Sequence, residues 1–330
     1  MAVFYFETES TDPCYNLAYE EHLLKNRREG NILMLWQNAN TVVVGLNQNT
    51  AEEINSAFVK ENSITVVRRT TGGGAVYHDL GNLNYSFITD LGDVASMSIS
   101  QFSLPVCRAL ASMGVAAEVS GRNDIVVSGK KISGVAQRIY KNRILHHGTL
   151  LFNSDPVMVA GALNADKEKF ESKSAKSVSA RIGNIKDFLK EDLSINEFWN
   201  RLRIQLSRDG SIPGVLASEE QRQIEAQASA KYRSWDWTYG KSPEYSFKNR
   251  VRYPGGTLEV RLKVEHGIIK NISFFGDFMA IKDNDEAVAA VIGQKLRESD
   301  VRKALVGVDI VAAFGGITVD EIVGAIFMRE

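Results

Sequence analysis

An α+β fold in two units is what this sequence predicts, and three observations carry it. Strand-like and helix-like runs intermingle through the first two thirds of the chain, with polar turns between them. The pattern changes after Trp235-Asp236-Trp237 and the loop Gly240-Lys241-Ser242-Pro243. Beyond it, Leu258, Val260, Leu262 and Val264 alternate with Glu259, Arg261, Lys263 and Glu265, which reads as a strand with one wet face. With 330 residues, 44% of them hydrophobic, the chain can bury a large core and fill two domains. The expected division is a catalytic, ligand-binding domain over residues 1–243 and a small α+β domain over 246–330.

The elements follow in order. Asp12-Pro13, then Leu17, Ala18, Glu21 and Leu24, predicts a capped helix with Pro at its first position. Ile32–Trp36 and Thr41–Gly45 read as strands joined by the polar turn Gln37–Asn40. Ala51–Glu61 reads as a helix, Ile64–Arg69 as a strand and Val76–Ile88 as an alternating segment. Ser98–Met113 is an apolar helix interrupted by Pro105. Three short strands follow, Asp124–Val127, Lys131–Gln137 and Gly148–Phe152, and from Asp155 to Ala230 the pattern turns helical. In the last unit the turn His266-Gly267 closes the first strand onto Ile268–Phe275, and short amphipathic helices complete the chain.

Composition narrows the function. A net charge of −1 gives no global basic field, which argues against nucleic-acid or membrane-surface binding. Cys14 and Cys107 form no metal or disulfide pattern, as suits a reducing cytoplasm. Met1–Glu9 lacks the basic-then-apolar order of a signal peptide, and no apolar run reaches membrane-spanning length. The expectation is a cytoplasmic protein.

The most informative stretch runs from Arg68 to Asn84. A strand ends in Arg68-Arg69 and meets Gly72-Gly73-Gly74, followed by Ala75-Val76-Tyr77-His78-Asp79 and Asn82. Consecutive glycines let the backbone turn its N–H groups inward and approach a ligand closely. Two guanidiniums beside such a loop suit a polyanion such as a nucleotide phosphate. The same residues would also serve as a plain hairpin loop with exposed arginines. For His78-Asp79, acid/base chemistry and a local hydrogen bond are both open.

A second constellation lies between Gly121 and His147, where six Lys/Arg face the single acid Asp124. The local excess fits either an anion site or a solvated hairpin. Lys131 differs from Lys130 because it opens an apolar run instead of sitting at the turn tip. Asp124 reads equally as a Mg²⁺ ligand or a surface acid. His146 and His147 point to opposite faces of a strand, so one packed and one exposed ring are expected, and no metal pair.

Taken together, Arg68-Arg69-x-x-Gly-Gly-Gly-Ala-Val-x-His-Asp-x-Gly-Asn, Ser120-Gly-Arg-Asn-Asp, Lys131-Ile-Ser-Gly-x-Ala-x-Arg138 and His146-His147-Gly-Thr-Leu-Leu resemble the lipoate–protein ligase A family. The resemblance covers essentially the whole chain. It implies a biotin/lipoate-ligase-type mixed sheet flanked by helices, with a small C-terminal accessory domain. It implies activation of lipoate by ATP and Mg²⁺ to lipoyl-adenylate, then transfer to a lysine of a lipoyl domain of a 2-oxoacid dehydrogenase or of glycine-cleavage H protein. A monomer is expected.

By matching motif positions, the resemblance places ATP on Arg69, Gly73, Gly74, Ala75, Val76 and Tyr77. Lys131 would contact nucleotide and lipoate as the catalytic cation. Asn82, Asn123 and His147 complete the cofactor-binding set, and Asp124 would hold the metal. A carboxylate attacking a phosphate needs cations around both, which suits Lys131 independently. An apolar tunnel for the acyl tail is expected from the Ile32–Gly45 strands and the Val76 segment. The rival readings are an octanoyl or lipoyl transferase working through a cysteine thioester and a non-catalytic lipoyl-domain binder. The first is disfavoured because Arg122-Asn123-Asp124 stands where such relatives carry the cysteine.

Overall fold

Eleven strands of the N-terminal part divide between two sheets, and the division sets up the site. The computed structural model describes residues 3–92, 99–121, 123–163, 181–207, 210–240 and 247–327. Arg122 and the 241–243 part of the expected interdomain loop lie outside the described residues. The strands are β1 (Val3–Glu7), β2 (Asn31–Trp36), β3 (Thr41–Val44), β4 (Thr65–Arg68), β5 (Val76–His78), β6 (Asn82–Asp90), β7 (Glu118–Ser120), β8 (Asp124–Val127), β9 (Lys130–Tyr140), β10 (Arg143–Leu151) and β11 (Ser211–Pro213). Eight of them form one mixed sheet in the order β11-β1-β2-β6-β10-β9-β8-β7, and β4-β3-β5 form a small one. The α+β class and mixed sheet expected from the sequence are what the chain adopts.

Two adjacent sequence elements therefore part company. The Gln37–Asn40 turn carries the chain from β2 in the large sheet to β3 in the small one. Likewise the Val76–Ile88 segment splits into β5 and β6, which belong to different sheets. The glycine loop does not close a hairpin: β4 runs parallel to β3 and β5 antiparallel to it, one on each side.

Register decides what faces what. Antiparallel pairing aligns Trp36 with Asn84, Asn84 with Thr149, Ser86 with His147, and His147 with Ala136. Directly paired residues share a face, and so do residues two apart. Trp36, Asn84, Ser86, His147, Thr149 and Ala136 thus share one face of the sheet. The opposite face carries Leu33, Leu35, Tyr85 and Val135 into a core with α4 (Ile99–Ser112) and the helix Ile195–Ser207. Gly148 is required there, since a Cβ would stand 2.6 Å from the Tyr85 hydroxyl.

The predicted first helix is present as Pro13–Asn26, with the Asp12 carboxylate accepting from the Cys14 N–H at 2.9 Å. It is buried on nearly every side, including Asn16, Glu20, Glu21 and His22. The predicted Ala51–Glu61 helix is instead two short ones, Thr50–Glu53 and Ser56–Glu61, parted where Ile54 bridges to Leu163. α4 continues through Pro105. Burial of Val106, Cys107, Ala109 and Leu110 offsets the roughly 3 kcal/mol that an internal proline costs.

The C-terminal sheet is β12 (Phe247–Tyr253), β13 (Gly256–Glu265) and β14 (Ile268–Gly276), with helices covering one side. His266 and Gly267 both take positive φ, 49° and 74°, as a two-residue hairpin turn demands. The expected wet face of β13 holds at Lys263 and Glu265, which reach solvent, but not at its other two positions. Glu259 and Arg261 are buried, paired at 2.6 Å, and the guanidinium lies over the Phe275 ring. Alternation marks two faces but cannot tell solvent from a paired, stacked interior.

Candidate active site

One cleft gathers most of the residues singled out from the sequence. Its walls are Arg69, Gly73, Gly74, Ala75 and Val76 from the loop after β4, Asn123 and Lys131 around β8 and β9, and His147 from β10. Leu17, Trp36, Val43 and Val76 form an apolar part, as expected for an acyl tunnel. His78, Asn84, Gly134 and Thr149 complete the lining. Lys131 passes close to Gly134, where a Cβ would stand 3.2 Å from its Nζ. The ammonium meets Asp124 Oδ1 at 2.7 Å.

The two arginines separate, because neighbours on a strand face opposite ways. Arg68 is buried and donates to the carbonyls of Gly45, Leu46, Gln48, Trp237 and Thr238 and to the Thr50 hydroxyl. The expectation of two guanidiniums for a polyanion is corrected: Arg68 is a structural clamp. Arg69 lines the cleft, but its Nη2 donates to the Gly72 and Gly74 carbonyls at 2.6 and 2.8 Å. It holds the glycine loop in shape from behind. Burial lowers its guanidinium to about 10, with Glu20 opposing that shift.

A buried relay ties this arginine to the first helix, Pro13–Asn26. Arg69 Nε donates to Thr71 Oγ1, which lies 2.9 Å from His147 Nε2, while His147 Nδ1 faces Glu20 Oε1 at 2.9 Å. The Glu20 carboxylate also accepts from the Ser86 hydroxyl, itself an acceptor for Trp36 Nε1. Neither histidine of the pair is exposed. His147 is in this relay, and His146 stacks on Phe102 at 5.1 Å across the sheet, where burial lowers it to about 3. His78 is held down to about 3 by burial, with Arg69 and His147 adding to it, which removes it as an acid or base near neutral pH. Asp79 caps its own turn by accepting from Gly81 N.

Some expected contributors lie off the cleft. The Tyr77 ring packs on the far side of the small sheet and donates to Asn40. Asn82 is fully buried and donates to Asn84 Oδ1. Asp124 touches the site through Lys131 only. Two of the six cations between 121 and 147 are committed elsewhere: Arg143 to Asp90 and the Gly30 carbonyl, Arg138 to Asp283. Cys14 and Cys107 are buried away from the cleft, and burial pushes Cys14 up to about 12. Sequence reading gave no role to Glu20, Thr71, Asn84 or Thr149, although Thr71 stands between the arginine pair and the three glycines.

A glycine loop, the two cations Arg69 and Lys131, and an apolar arm thus meet in one cleft. Residues 12–207 match the family description "Lipoyl protein ligase A/B catalytic domain", and residues 242–326 match "Bacterial lipoate protein ligase C-terminus". The chain is 42% identical to a Bacillus subtilis lipoate-protein ligase, covering 96% of this chain and 97% of that protein. It is 39% identical to Staphylococcus aureus lipoate–protein ligase 1, over 95% and 96%. Its fold superposes on P. falciparum LipL1 in complex with lipoate with a TM-score of 0.81, at 24% identity, covering 99% and 100%. A lipoate-protein ligase A bound with ATP gives 0.62 at 27% identity, covering 72% of this chain and 98% of that one. The chain belongs to the lipoate–protein ligase family.

Proposed function

We propose that this enzyme activates lipoate with ATP to lipoyl-adenylate and passes the lipoyl group to the ε-amine of a specific lysine on an acceptor protein. The observation that carries this is that Lys131 lines the same cleft as the glycine loop and the apolar Leu17, Trp36, Val43 and Val76. An ammonium there can bridge the lipoate carboxylate and the α-phosphate, holding two anions at attack distance. The Gly73–Val76 backbone and Asn123 cradle the phosphates, and Arg69 fixes the loop that does so. Leu17, Trp36, Val43 and Val76 hold the acyl tail and exclude water from the mixed anhydride. We assign residues 1–243 to this catalysis and 246–330 to an accessory domain that closes over the adenylate and swings aside for the acceptor.

For Mg²⁺, the chain supplies Asp124 next to the cleft, and the described residues contain no cluster of three metal-type ligands. That suits a magnesium ion held by one carboxylate and phosphate oxygens, whose charge would neutralise the leaving pyrophosphate. Acceptors of the lipoyl-domain type fit the reading, as in the solved bipartite ligase of Thermoplasma acidophilum and its E2 lipoyl domain. That ligase is 30% identical, with a TM-score of 0.65 over 74% of this chain and 98% of its own. H protein and the 2-oxoacid dehydrogenase domains are the acceptors to try, with the cytoplasm as the compartment. A thioester mechanism is disfavoured, since neither cysteine lines the cleft. Incubating the protein with ATP, lipoate and candidate domains and weighing the products tests the proposal. A lipoyl mass gain with AMP formation supports it, and no gain on any acceptor refutes it.

A further inference from the structure

His78 and Asn84 line the cleft, and each has one polar atom fixed and one left over. Asn38 Nδ2 lies 3.1 Å from His78 Nδ1, so the ring accepts there and carries its proton on Nε2. That Nε2 has no partner among the described residues. Asn82 Nδ2 donates to Asn84 Oδ1 at 3.0 Å, and Asn84 Nδ2 is likewise without a partner among the described residues. Both side chains are more than nine-tenths buried. A buried donor with no acceptor costs about 1–3 kcal/mol. Here two stand in one cleft wall, each oriented by a second asparagine. Trp36 lies beside both: it pairs with Asn84 in the sheet and meets the His78 ring edge-on. On the other side of Asn84 stands Thr149, which accepts from Gly134 N, the glycine that Lys131 passes closely.

We propose that His78 Nε2–H and Asn84 Nδ2–H receive the acyl oxygen and act as the oxyanion donors of the transfer step. The inference rests on the ligase reading and deepens it. When the acceptor amine attacks the acyl carbon of lipoyl-adenylate, a C–N bond forms and the carbonyl electron pair moves onto oxygen. That oxyanion takes both hydrogen bonds. It then collapses, the C–O bond to phosphate breaks, AMP leaves with the electron pair, and the nitrogen loses its proton to solvent. Neutral donors suit this role, since they leave the phosphate to Lys131. The depressed basicity of His78 keeps the ring an imidazole throughout.

The test separates the two half-reactions. Enzyme charged with lipoyl-adenylate is mixed rapidly with a lipoyl domain, and amide formation is followed by mass. Asn84→Ala and His78→Leu are expected to slow transfer about 100-fold each, with adenylate formation largely retained. His78→Gln, which keeps an N–H donor, is expected to recover most of the rate. Asn84→Asp keeps the shape, removes the donor and is expected to be at least as slow as Asn84→Ala, which covers the case in which a smaller residue fails to fold. Transfer at the wild-type rate in folded variants would overturn the proposal, as would equal losses in both half-reactions. Failure of the wild-type protein to form adenylate or to transfer would overturn the ligase reading instead.

Discussion

Arg138 and Asp283 join the two parts of the molecule through a two-pronged ion pair, Nη1 to Oδ1 at 3.1 Å and Nη2 to Oδ2 at 2.8 Å. Arg138 Nη1 also donates to the Thr70 carbonyl at 2.7 Å, at the entry to the glycine loop. Next to it, Gly73 N donates to the Phe278 carbonyl and Ile139 N to that of Ile281. The C-terminal segment therefore rests directly on the loop and on β9. In a double-mutant cycle of Arg138→Ala and Asp283→Ala, unfolding measurements should give a coupling of about 1–2 kcal/mol. Additive effects would mean that the pair does not hold the two parts together.

The glycines of the loop should differ in kind. A Cβ at Gly72 would stand 2.8 Å from Ala280 N and 2.9 Å from the Phe278 carbonyl oxygen, so Gly72→Ala should disturb the contact with the C-terminal segment. A Cβ at Gly74 would meet nothing within 4 Å, and this glycine has no positive φ. Gly74→Ala should leave stability within about 0.5 kcal/mol of wild type while weakening ATP binding. Calorimetry of ATP binding alongside thermal melting checks both, and unchanged affinity in Gly74→Ala would remove the loop from the nucleotide site.

Arg68 should matter for stability in proportion to what it holds. Arg68→Leu removes a donor from five carbonyls, of which Gly45 and Thr238 keep a second one, from Gln48 N and the Thr50 hydroxyl. A loss of about 3–5 kcal/mol in chemical denaturation is expected. A loss below 1 kcal/mol would show that water replaces the side chain freely.

Glu21 should shape the acid limb of the stability curve. Its burial works against ionisation, but Lys231, Lys25 and Tyr232 outweigh that and bring it from 4.5 to about 2. A carboxyl with a folded value below its unfolded one contributes stability that is complete above the unfolded value. That contribution, of order 3 kcal/mol, is lost as pH falls from about 4.5 to about 2. Glu21→Gln should flatten this part of the denaturation profile, and an unchanged slope would contradict the assignment.

How much of this was legible in the sequence depends on how local each signal is. Gly72–Gly74, Asn123 and Lys131 announce themselves through special backbone needs or a charge opening an apolar run. Arg68 and Arg69 looked alike, because adjacency on a strand does not say which of two faces meets the cleft. Glu20 was hidden in a helix buried all round, where no polar stripe marks an outer face. Asn84 and His78 reach one wall only through the assignment of β5 and β6 to separate sheets, which the alternating pattern of Val76–Ile88 does not encode.

The most direct test is the rate of lipoyl-adenylate formation in Lys131→Ala, measured in a single turnover with saturating ATP and lipoate. Lys131 lines the cleft and is the cation we propose to bridge acid and triphosphate, so the rate should fall by about 100- to 1000-fold while the protein remains folded. Adenylation at the wild-type rate would contradict the account.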